Sequence, residues 1–167
     1  METSLVKGFP LRRLTYIALL VAMGSIASPF SIPIGVAKVY PVQHAINVLA
    51  GALFGPGPAV IAAILTSTIR NLTGTGTPLA YPGSIFGALL AGFTFRYFQK
   101  EHFAALGEVL GTGIIGALVA FPLARLLLGF KGAAFFFIIP FTMSSVSGAI
   151  IGMFILRMWN KGPGRIK

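Results

Sequence analysis

Long apolar stretches alternate along this chain with short breaks rich in glycine, proline or charge. Six apolar segments can be marked, running approximately Leu14–Ser28, Pro41–Phe54, Pro58–Leu72, Pro82–Phe98, Glu108–Leu128 and Ala133–Trp159. A span of the bilayer takes about 20 residues, so these segments predict membrane helices. The second and third are short, since a helix of about 14 residues covers about 21 Å of a roughly 30 Å hydrocarbon core. Their polar flanks must reach the interface, or other helices must shelter them. "FGPGP" (Phe54–Pro58) is a strong helix breaker between the two. The expected fold is all-α: one domain over residues 1–167, an integral membrane bundle of six transmembrane helices.

Composition agrees. Charged residues make up 10% of the chain and mean hydropathy is +0.89, whereas a soluble domain carries roughly 25% charged residues. There is no cysteine, which excludes a disulfide framework or a thiolate metal site. The formal net charge is +10, but its placement argues against nucleic acid. Lys7, Arg12, Arg13, Arg96, Lys100, Arg157, Lys161, Arg165 and Lys167 flank the apolar segments on one side, against Lys38, Arg70, Arg125 and Lys131 on the other. Under the positive-inside rule this bias makes both termini cytoplasmic. A cleaved signal peptide is the competing reading of the first segment; five further spans favour an uncleaved helix.

One polar patch interrupts this pattern: "RNLTGTGTPLAYPGS", beginning at Arg70. It is no phosphate loop of the Walker type, because no lysine follows its glycines and no strand precedes it. The acids, Glu2, Glu101 and Glu108, are assigned to the cytoplasmic side, and the two histidines stand far apart without carboxylate partners. Neither metal-dependent chemistry nor a resident cofactor is expected, and an enzyme is not. The bland reading of the patch is a loop whose glycines supply unusual dihedrals. The neighbouring helices offer another. Tyr40, Gln43, His44 and Asn47 share one face of the second segment, and Ser67, Arg70, Asn71 and Gly74 repeat that spacing in the third. Polar groups at membrane depth are costly unless they pair or face a cavity. With Thr75, Tyr81, Ser84, Ser144 and the aromatics of "FFFIIPF" (Phe135–Phe141), they outline a small outward-facing pocket. Individual serines and threonines equally well bond back to their own helices.

The blocks "GVAKVYPVQHAINVLAGALFGP" and "RNLTGTGTPLAYPGSIFGALLAG" resemble the ThiW family, thiazole-specific substrate-binding (S) components of energy-coupling factor (ECF) transporters. The resemblance implies a multi-pass protein of the prokaryotic plasma membrane that captures hydroxyethylthiazole or a close relative. It also implies partners: a transmembrane coupling subunit and two cytoplasmic ATPases that drive the S component to tip in the membrane. S components dock through an Ala-x-x-x-Ala pattern in the first helix, which here falls on Ala18 and Ala22. The same small-residue spacing in Gly83/Gly87/Ala91 and Gly148/Gly152 is read as internal packing.

For a thiazole, Tyr40, Tyr81 or a phenylalanine of the last segment would stack on the ring. His44 or Asn71 would donate to the ring nitrogen, and Asn47 or Gln43 would hold the hydroxyl. Lys38 and Arg70 flank the pocket, read first as anchors on lipid phosphates. The alternative is an anionic cargo with Arg70 as its forked partner. Rival readings are an S component for another vitamin such as thiamine, an ATP-independent carrier or channel, and a membrane-embedded enzyme.

Overall fold

A computed structural model describes residues 11–34 and 37–161. Glu2, Lys7, Gly35, Arg165 and Lys167, used in the sequence reading, lie outside the described residues. Helix α1 (Leu11–Ile26) leads into a short antiparallel hairpin, β1 (Ile32–Ile34) and β2 (Ala37–Val39). Then follow α2 (Pro41–Phe54), α3 (Pro56–Leu72) and α4 (Ala80–Phe98). Helix α5 (Glu101–Leu128) contains a π-helical segment at Gly111–Gly116, and a 3₁₀ turn at Ala134–Phe137 opens onto α6 (Ile138–Lys161). The hairpin is the one strand-forming departure from the expected all-α chain among the described residues.

Proline and glycine set several boundaries. Pro41 and Pro56 sit at the first turns of α2 and α3, where a missing N–H costs nothing. Gly55, at φ 86°, makes the sharp corner between them that a side chain would strain. The fifth apolar segment is corrected at its start. Its helix begins at Glu101, not Glu108, because Ala104, Ala105, Gly107 and Glu108 all face inward and continue the buried stripe.

The packing is inverted relative to a water-soluble bundle. Most buried apolar side chains are alanines, while leucine, isoleucine and phenylalanine dominate the exterior, as at Leu19, Ile61, Phe93, Leu126, Ile150 and Phe154. Small residues bring the backbones together, which is how helices gain contact in lipid. A Cβ on Gly51 would stand 2.7 Å from the Gly92 nitrogen, and one on Gly148 would stand 2.3 Å from the Pro41 carbonyl. Gly83, Gly87, Ala91, Gly148 and Gly152 are all internal packing positions, as expected. On α1, Ile17, Val21 and Gly24 face the bundle while Ala18 and Ala22 are exposed. Helices α5 and Phe135–Asn160 are each long and apolar enough to cross a membrane.

Candidate functional site

The N-terminal ends of α2, α4 and α6 meet the C-terminal end of α3 and the hairpin at one end of the bundle. A cavity of about 410 Å³ opens there, within the range of small-molecule sites. The opposite end carries Arg96 and Lys100, and there Arg157 Nε donates to Glu101 Oε1 at 3.0 Å.

Lys38, Tyr40, Gln43, His44, Arg70, Thr75, Ser84 and Ser144 all line the cavity, joined by Leu79, Phe136, Phe137 and Phe141. Tyr40 is locked in place: its N–H donates to Ser144 Oγ at 2.8 Å and its hydroxyl to the Thr75 carbonyl at 3.2 Å. Thr75 Oγ1 meets Ser28 Oγ at 2.7 Å, tying the turn after α1 to the glycine–threonine loop.

Arg70 departs from its first reading as a lipid anchor. It is 3% exposed, and its guanidinium carbon lies 3.9 Å from the centre of the Tyr40 ring. Buried under the Tyr40 ring, it is out of reach of headgroups. Lys38 is exposed at the mouth. The loop amides are also not free to cradle an anion. Gly74 N–H donates to the Asn71 carbonyl, and those of Thr75 and Gly76 both donate to the Arg70 carbonyl, closing the end of α3.

Three expected residues stand apart from the cavity wall. Asn71 is half-buried and donates to the Ser67 carbonyl of its own helix at 2.7 Å. Tyr81 donates from its hydroxyl to Thr68 Oγ1 at 3.0 Å, in the groove between α3 and α4. Asn47, 1% exposed, lies beneath the floor, donating to the Ser84 carbonyl and to Glu108 Oε1, each at 3.3 Å.

Glu108 is the residue that sequence reasoning misplaced. Its side chain is fully buried, not at the cytoplasmic surface, and it gives His44 the carboxylate partner thought to be missing. Its Oε1 accepts from His44 Nδ1 at 2.6 Å, Thr112 Oγ1 at 2.9 Å and Asn47 Nδ2. A carboxylate on Nδ1 fixes the ring's orientation and leaves Nε2 as the nitrogen available to a guest. Thr112 is carried by the π-helical segment, a feature frequent at functional sites. Gly87 makes room for the cluster, since a Cβ there would lie 2.4 Å from Glu108 Oε2. The available signal was a lone carboxylate one turn before Thr112 in an otherwise apolar stretch.

A cavity with aromatic walls and a few aimed polar groups, in a bundle with an apolar exterior, suits capture of a small organic molecule at a membrane. Residues 14–161 match the family model described as thiamine-precursor transporter protein (ThiW). The chain belongs to the ThiW family. No curated protein matches it. Membership identifies a ThiW-family membrane protein that transports a precursor of thiamine, consistent with the two long apolar helices. The match runs from α1 through α6, so every element lining the cavity falls within it.

Proposed function

We propose that this ThiW-family chain is the S component of an ECF importer, holding the thiazole precursor of thiamine in the cavity between α2, α3, α4 and α6. The single observation carrying this reading is the convergence of Tyr40, His44, Arg70, Ser84 and Ser144 with Phe137 and Phe141 on one cavity. The phenylalanines supply ring faces, each contact contributing about 0.5–1.5 kcal/mol beyond area burial. His44 Nε2, Gln43 and Ser144 supply hydrogen-bonding groups for the ring nitrogen and side arm. In this reading the chain makes six spans with both termini cytoplasmic, and the cavity opens outward, at the end opposite Arg96, Lys100 and Arg157. The interior carboxylate is committed to His44, Asn47 and Thr112, and the chain lacks a Walker lysine after its glycines. Energy therefore comes from partner ATPases through a coupling subunit, which docks on the exposed Ala18/Ala22 face of α1 and tips the S component to release its cargo.

Equilibrium binding to the purified, detergent-solubilised protein tests the site. Thiazoles should bind while the pyrimidine half of thiamine does not, and Phe141→Ala should weaken binding. Preferential binding of intact thiamine would make this an S component for that vitamin. Uptake by liposomes containing this protein alone, without ATPases, would replace the importer reading with an independent carrier.

A further inference from the structure

Arg70 is a buried cation without a described counter-ion. Its side chain lines the cavity at 3% exposure, and its Nε has no hydrogen-bond partner among the described residues. The described acids are both engaged elsewhere, Glu101 with Arg157 and Glu108 with His44, Asn47 and Thr112. The Tyr40 ring face offsets part of the burial cost. An ion removed from water nevertheless needs a charged or well-bonded partner, and arginine cannot escape by losing its proton.

The rest of the lining points the same way. Lys38 contributes a second positive charge from β2, α4 and α6 contribute no charged side chain, and Glu108 lies beneath the floor, bonded to His44 Nδ1. The lining thus carries two cations and no acid, and apart from Tyr40 on Arg70 its aromatic rings are Phe136, Phe137 and Phe141. Ring and charge have separate partners. With the amides of Gly74, Thr75 and Gly76 already bonded to carbonyls, side chains must meet any anion.

Building on the thiazole reading, we infer that the transported species is anionic: a thiazole carrying a carboxylate or phosphate group that pairs with Arg70, with Lys38 at the entrance. Two acceptor oxygens match the guanidinium fork, whereas a neutral hydroxyl satisfies one donor and leaves the charge uncompensated.

The test measures binding of three probes to the purified protein: hydroxyethylthiazole, its phosphate monoester and a thiazole carboxylate. On wild type, one of the anions should bind roughly 10- to 100-fold more tightly than the alcohol, and its identity separates phosphate from carboxylate. Arg70→Gln should abolish that preference while Arg70→Lys keeps part of it. Lys38→Gln, a change at an exposed position that leaves folding intact, should weaken the anion selectively and reduce its salt dependence. If the alcohol binds wild type as tightly as either anion and Lys38→Gln discriminates nothing, the inference is overturned and the thiazole reading stands. If no thiazole binds wild type, both fall.

Discussion

Replacing Glu108 by alanine removes the acceptor on which the floor of the cavity is built. His44 Nδ1 loses a 2.6 Å partner with nothing described to replace it. Asn47 keeps the Ser84 carbonyl and Thr112 keeps the Gly83 carbonyl. The damage therefore centres on His44, together with the void left by a fully buried side chain. Orphaning a buried donor costs about 1–3 kcal/mol, and the void adds about as much again. For a chain of this size each kcal/mol moves the melting temperature by about 2–4 °C, so a fall of about 10 °C is expected. Glu108→Gln keeps the shape and one acceptor but places an amide nitrogen where Oε2 has no described partner, so about 1–3 kcal/mol should be lost. Thermal unfolding of the detergent-solubilised protein reads both values, and a cycle with His44→Ala isolates the pair. Residues in direct contact should couple by about 0.5–3 kcal/mol. Equal melting of wild type and Glu108→Ala, or strict additivity with His44→Ala, would refute the buried network.

Other outcomes follow from the same geometry. Gly148→Ala should lower stability by about 1–3 kcal/mol through overpacking; because its Cβ would lie 2.5 Å from His44 Cβ, thiazole affinity should fall with it, as calorimetry would show. Phe141→Ala should weaken thiazole binding by about 0.5–1.5 kcal/mol or more through loss of a ring contact, read by titration. The double change Ala18→Trp and Ala22→Trp should abolish co-purification with the coupling subunit while leaving ligand affinity unchanged. Intact complex formation would remove α1 as the docking helix.

Much of the helical framework was legible because its signals are local. Pro41 and "FGPGP" punctuate the chain, so α2 begins and ends where the pattern places it. The short polar run Lys100–His102 hid the true start of α5, and with it the depth of Glu108. No local signal joins His44 to a carboxylate 64 positions away; only the packing of α2 against α5 does. The stripe on α3 was over-read for a geometric reason: successive helical residues point about 100° apart. Arg70 lines the cavity, while Asn71, turned that far round the helix, donates back to the Ser67 carbonyl. Arg70 resembled an anchor because it is basic and near a helix end, and its cover, the Tyr40 ring, comes from distant sequence.

The most direct measurement is an experimental structure of the protein with a bound thiazole probe. The ring should lie against Phe137 and Phe141, with its polar arm toward Arg70 and His44. A thiazole seated elsewhere in the bundle, or a cavity that stays empty at saturating probe, would contradict this placement.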